Sequence, residues 1–257
     1  MTTLVHNGTK LAFEDRGAGK PAFVFIHGWT CDRSYFAPQA EHFARRHRVI
    51  SVDLRGHGES DKPAGPYPIA IYADDIAYIL RQLGLGKTVA VGHSMGGKTV
   101  LQLAVAHPDC VAAIVMVDPA PFASPPELRA AMESMAADIE AGNQESRRRF
   151  ITNRMFLPTS DRSLMEAVSA AMLAPPSHVA ANAIRGAAEF DGPAVAALCK
   201  VPALHLAGTP PLNPPHLMSQ WLPNVVNGWT VGAGHFNQLE VPDQVNLMIE
   251  AFLRHYV

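Results

Sequence analysis

The chain of 257 residues is 48% hydrophobic and sets 21 Lys+Arg against 23 Asp+Glu; this excludes a disordered segment and, with no basic surplus, a binder of nucleic acid or anionic membranes. The longest unbroken apolar run, residues 110–117, is too short to span a bilayer, and no basic stretch followed by an apolar block opens the sequence, so a cytoplasmic setting without a membrane partner is expected. Cys31, Cys110 and Cys199 are too scattered for a disulfide framework or a zinc cluster, and no metal is expected.

Residues 4–6 and 11–13 flank Asn7-Gly8, a pair that tolerates the positive φ of a tight turn, and predict an N-terminal hairpin. Short apolar runs follow at 22–26, closed by His27-Gly28, and at 49–54, closed by Arg55-Gly56-His57-Gly58. Others lie at 88–91, closed by Gly92, and at 110–117, 203–207 and 225–231. Between them, residues 35–45, 72–83, 95–107 and 244–256 place apolar side chains three and four apart and predict helices. Strands apolar on both faces, alternating with helices, predict an α/β fold with a mostly parallel sheet covered on both sides.

The alternation breaks over 121–200, where helical patterns at 126–141, 145–155, 163–173 and 178–190 are punctuated by Pro158, Pro175-Pro176 and Gly192-Pro193. This predicts a core of 1–120 and 201–257 with a helical cap, 121–200, inserted over the sheet's edge. Met132, Met135, Met155, Met165 and Met172 fall in it, as helix core or as an adaptable apolar lining.

The strongest chemical signal is Gly92-His93-Ser94-Met95-Gly96-Gly97, between a predicted strand and a predicted helix. There a serine sits on a sharp turn, and small neighbours permit the strained backbone. Its hydroxyl stands at the sheet's carboxyl edge, where open α/β folds bind ligands. His235, in Gly232-Ala233-Gly234-His235-Phe236, lies between the last strand and last helix at the same edge and is the candidate base. His57 and His93 read as turn-packing residues and His205 as a core histidine. Asp53 reads as structural, and Cys31 as a buried thiol.

Together with His27-Gly28-Trp29 and Asp53-Leu54-Arg55-Gly56-His57-Gly58-Glu59-Ser60, these motifs resemble the α/β-hydrolase fold family along essentially the whole chain. The resemblance implies an eight-stranded, mostly parallel sheet with an N-terminal hairpin, and a catalytic site without a cofactor. It implies Ser94 as nucleophile, His235 as base, and backbone N–H groups of Trp29 and Met95 as the oxyanion hole. Members with aspartate at the nucleophile, dehalogenases and epoxide hydrolases, are disfavoured. The acid is the departure. The family usually carries it just after the strand at 203–207, but residues 201–239 contain no Asp, Glu, Lys or Arg. A minority of members take it from the end of the preceding core strand, which points to Asp118; Asn213 is the neutral alternative for orienting the ring.

The expected activity is hydrolysis of a small-to-medium apolar ester or lactone through an acyl-enzyme, by a monomer or homodimer. Trp29, Phe122, Met155 and Phe236 are the expected pocket lining. Two other readings remain open: a cofactor-independent ring-opening dioxygenase and a non-catalytic receptor on the same fold.

Overall fold

The computed structural model describes residues 1–257. Strands β1 (Thr2–His6) and β2 (Thr9–Arg16) form the hairpin, with Asn7 (φ 48) and Gly8 (φ 75) at the turn. β3 (Phe23–Ile26) leads through one turn of 3-10 helix, Arg33–Phe36, into α1 (Ala37–Phe43). Pro38 at the start of α1 splits the helix expected over 35–45 into these two pieces. Then follow β4 (Val49–Val52), α2 (Ile69–Gln82), β5 (Thr88–His93), α3 (Met95–Ala106) and β6 (Val111–Val117).

The next segment has no strand: α4 (Pro126–Glu140), α5 (Gln144–Arg154), α6 (Arg162–Leu173), α7 (Ser177–Glu189) and the short α8 (Gly192–Ala196). β7 (Ala203–Ala207), α9 (Pro215–Trp221), β8 (Val225–Trp229), α10 (Asn237–Glu240) and α11 (Pro242–Tyr256) complete the chain. α8, α9 and α10 were not expected from sequence. Each is under two turns, too short to display a periodic apolar stripe, and α8 starts at the Gly192-Pro193 pair that reads as a break. Proline is favoured at a helix's first turn, where its missing N–H costs nothing.

The eight strands form one sheet in the order β1-β2-β4-β3-β5-β6-β7-β8, parallel from β4 to β8 and antiparallel at β1, β2 and the β2–β4 junction. Its central strands are buried on both faces, as the unbroken apolar runs require. Phe23, Phe25, Val89, Val91, Val115 and Val117 pack with Phe36, Phe43, Val245, Ile249 and Phe252 of the α1/α11 layer. Val24, Ile26, Ala90, Ile114 and Met116 face the opposite layer of α2, α3 and the later helices. Truncating a ring such as Phe25 to alanine costs about 3–5 kcal/mol. Register places the functional loops: His93 pairs with Val117, and Val117 with Leu206, so β5, β6 and β7 end side by side at the same height.

Candidate active site

Three non-glycine residues at this edge have positive φ: Thr30 (56), Ser94 (53) and Asp118 (35), in the loops after β3, β5 and β6. The only other such residue is Asn7, in the hairpin turn. Strained backbone is held in place only when its surroundings over-determine it, and it gathers at functional sites. Ser94 is locked in this way. Its N–H donates to Val117 O (3.1 Å), and its carbonyl accepts from Gly97 N and Ala120 N. Gly96 is obligatory behind it, since a Cβ there would stand 2.1 Å from Ile26 O. Ser94 is the N-cap of α3 but makes no side-chain capping bond, so its hydroxyl is not spent on the helix.

The β3 loop meets this turn closely: a Cβ on Gly28 would lie 3.1 Å from that of Ser94. The amide of Trp29, next along, donates to no protein acceptor. Met95 opens α3, where first-turn N–H groups have no intrahelical partner and carry the helix's positive end. Of the two expected oxyanion donors, Met95 thus directly follows Ser94, and Trp29 directly follows the glycine that meets it. Cys31 is buried, its Sγ turned to Trp29 O (3.3 Å), and burial pushes its thiol well up, which makes it an unreactive tether.

His235 and Asp118 are in contact. His235 Nδ1 donates to Asp118 Oδ2 over 2.6 Å, with side chains 7% and 1% exposed. Asp118 Oδ1 accepts from Gly208 N (3.0 Å). Gly208 occupies the place where the family usually has its acid region. Any side chain there is blocked, because a Cβ would fall 2.2 Å from Gly234 O. The loop carrying His235 is fixed on several sides. Gly234 N donates to Glu240 Oε1, His235 N to Met155 O, and His93 Nε2 to His235 O over 2.9 Å. Nδ1 is thus committed to the carboxylate, and Nε2 makes no hydrogen bond within the protein.

His93 corrects a sequence expectation. Rather than merely packing the turn, it ties the residue before the serine to the histidine loop, with ring centroids 4.6 Å apart. Burial holds it well below the usual histidine range, so it stays neutral beside His235. A carbonyl only accepts, which fixes the proton on Nε2. Asn213 is corrected too. It accepts from Phe122 N (2.7 Å) and donates to Pro119 O and Ala120 O, bracing the loop after Asp118 rather than orienting the ring.

Of the expected lining residues, Phe236 stacks against Phe156 (5.2 Å) and meets Tyr35 at a tilt (5.9 Å), and Met155 touches His235 through its carbonyl. Trp29 donates its indole N–H to Ala180 O of α7. Phe122 is set apart, in the packing of Trp221 and Gly192. Met135, Met155 and Met172 are buried core, and Met132 and Met165 half-buried. Asp53 is structural, as expected: it pairs with Arg33 and accepts from the amides of Arg33 and Glu59. His57 is buried and pushed down to about 3, and His205 bonds Asn227 Oδ1 within the β7–β8 pair. No group of side chains fit to hold a metal ion is present, and no helix is long and apolar enough to cross a membrane.

Comparison with known proteins agrees with this fold. Residues 21–165 match the model of the alpha/beta hydrolase fold. Over 134 residues, 52% of this chain and 46% of the relative, it is 37% identical to the 2-(acetamidomethylene)succinate hydrolase of Mesorhizobium japonicum. Over 115 residues, 44% of this chain and 37% of the relative, it is 41% identical to an sn-1-specific diacylglycerol lipase of Mus musculus. The matches thus span less than half the length of these relatives. Among solved structures, a thermophilic esterase from Thermogutta terrifontis, with malate bound, superposes with a TM-score of 0.88 at 28% identity, covering 98% of this chain and 96% of that one. The enol-lactonase of Burkholderia xenovorans shares the fold at a TM-score of 0.89 and 23% identity, covering 99% and 100%.

Proposed function

This chain belongs to the alpha/beta hydrolase fold family, and we propose that it is a serine hydrolase that cleaves a carboxylic ester or lactone of a small molecule. The observation that carries the reading is the buried Asp118–His235 contact at 2.6 Å, held against the Ser94 turn by His93. Names of similar proteins support it at the level of class: hydrolase, lipase, esterase and enol-lactonase.

In this reading His235 Nε2 takes the proton of Ser94 as Oγ attacks the carbonyl carbon. Asp118 keeps the proton on Nδ1 and stabilises the imidazolium that forms. The charge appearing on the carbonyl oxygen is met by the amides of Trp29 and Met95, each worth about 3–4 kcal/mol of barrier reduction when aimed at the developing oxyanion. His235 then returns its proton to the leaving alcohol, and an acyl-Ser94 ester remains. Water activated by the same imidazole cleaves it, restoring the serine. The helices between β6 and β7 act as a cap, since Met155 and Ala180 reach the His235 and Trp29 loops.

The test joins labelling with turnover. A fluorophosphonate is expected to modify Ser94 in the native protein but not in Ser94→Ala. A panel of p-nitrophenyl esters and lactones is expected to be hydrolysed at the same rate with and without oxygen. An unlabelled Ser94, or turnover that requires oxygen, refutes the proposal.

A further inference from the structure

Arg147, near the start of α5, is a cation buried without a carboxylate. Its side chain is fully buried, and it takes part in no ion pair. Arg55, the other well-buried arginine, is gripped by both oxygens of Asp75 at 2.6 and 2.7 Å. Every partner of Arg147 is a neutral carbonyl: Leu173 O (3.4 Å) and Pro175 O (3.3 Å) for Nη1, and Met172 O for Nη2. Nε has no partner. A guanidinium carries five N–H donors, so three carbonyls leave the Nε–H, one Nη2–H and the net charge unanswered. Closing the end of α6 explains the Nη contacts, because cations suit helix C-termini. It does not explain a full charge kept out of water with two donors idle, an arrangement that is strongly unfavourable unless something pairs with it. Burial pushes the group down only to about 10, so it remains a cation at neutral pH.

The location gives the idle donors a use. The Arg147 guanidinium carbon lies 5.5 Å from the centre of the Trp29 indole, and Trp29 supplies one of the two oxyanion amides. One other buried polar atom without a partner, His57 Nε2, belongs to a ring that feels the Arg147 charge. An apolar substrate leaves all of these unsatisfied. A carboxylate satisfies the charge and, by forked hydrogen bonding, the Nε–H.

We propose that Arg147 binds a second carboxylate carried by the acyl part of the substrate, so that the preferred substrates are monoesters or lactones of dicarboxylic acids. The proposal rests on the hydrolase reading for the word ester, but not for the anion site. It departs from the apolar substrate expected from sequence. The carbonyl under attack sits at the Trp29 and Met95 amides, a short acyl chain passes along the Trp29 indole, and the far carboxylate meets Arg147.

Binding and turnover test it separately. By calorimetry on Ser94→Ala protein, methyl hydrogen succinate is expected to bind about tenfold or more tighter than methyl butyrate, which carries no charge, and Arg147→Met to abolish that difference. In turnover, kcat/KM for phenyl hydrogen succinate is expected to exceed that for phenyl butyrate. Arg147→Met should lower the former by roughly a hundredfold, the order expected when one partner of a buried charge pair is lost, and the latter by only a few-fold. Arg147→Lys, which keeps the charge without the fork, should recover part of the loss. Equal binding of methyl hydrogen succinate and methyl butyrate overturns the proposal, and so does an equal fall on both phenyl esters in Arg147→Met, which would make Arg147 only the cap of α6. If Arg147→Met fails to fold, the comparison of methyl hydrogen succinate with methyl butyrate decides alone. Binding of methyl hydrogen succinate in preference to methyl butyrate, without hydrolysis of either phenyl ester, leaves the carboxylate site standing and removes the hydrolase reading instead.

Discussion

His93 Nε2 donates to the carbonyl oxygen of His235 over 2.9 Å. The residue before the proposed nucleophile thereby holds the proposed base, and His93 is a positioning residue. His93→Phe keeps the ring's bulk but removes the donor. It is expected to lower kcat by roughly ten- to a hundredfold with KM nearly unchanged, since misplacement of about 1 Å has effects of that order. His93→Gln, which retains an N–H donor, should recover part of it. A rise in KM at constant kcat would assign His93 to substrate binding instead.

Gly208 is the gap that lets Asp118 meet the histidine loop. A Cβ there would stand 2.2 Å from Gly234 O and 3.3 Å from the Asp118 carboxyl carbon. Gly208→Ala must push the two loops apart and is expected to cut turnover by about a hundredfold. Steady-state rates on one p-nitrophenyl ester check this; turnover within twofold of the parent would mean that the loops shift together.

Acid should weaken the fold before it protonates surface carboxylates. Burial lowers His27, His57, His93 and His205 from the ordinary 6.5, His57 to about 3. The unfolded chain therefore takes up protons first. The stability that neutral burial contributes is complete above about pH 6.5 and is lost as pH falls from there toward the folded values. Each such histidine contributes up to about 1.4 kcal/mol per pH unit in that window. Urea midpoints are expected to be level from about pH 8 to 7 and to fall steadily by about pH 5. A midpoint constant to pH 5 would show these rings charged or hydrated in the fold.

Much of this molecule is legible in its sequence, because the signals are local. Strands buried on both faces print as apolar runs, and the Ser94 turn prints as glycines spaced around a serine between a strand and a helix. The candidate acid was reached through a gap and a resemblance: residues 201–239 carry no charge, and the family's minority arrangement points to Asp118. What stayed hidden depends on contacts distant in sequence. His93 meets His235 across 142 positions and Asn213 meets Phe122 across 91. Nothing in the neighbours of either residue signals the partner. Arg147 reads as one member of the basic run Arg147-Arg148-Arg149 on a polar helix; only folding buries it while the other two stay exposed. Phe122 is among the expected lining residues, but the chain turns it toward α8 and α9.

The pairing of Asp118 with His235 is tested most directly by kcat/KM for Asp118→Asn beside Asn213→Ala, on one p-nitrophenyl ester at one pH. An amide in place of the carboxylate keeps the shape but turns a donor toward Nδ1. This drives the ring proton to Nε2, where the base must accept, and in a comparable triad that change lowers turnover about 10⁴-fold. Asn213→Ala removes bonds to Phe122 N, Pro119 O and Ala120 O. It should therefore lower stability by about 1–3 kcal/mol while turnover stays within about tenfold. A loss near four orders of magnitude in Asp118→Asn alone is the predicted result. Near-parent turnover in Asp118→Asn with a collapse in Asn213→Ala would contradict it.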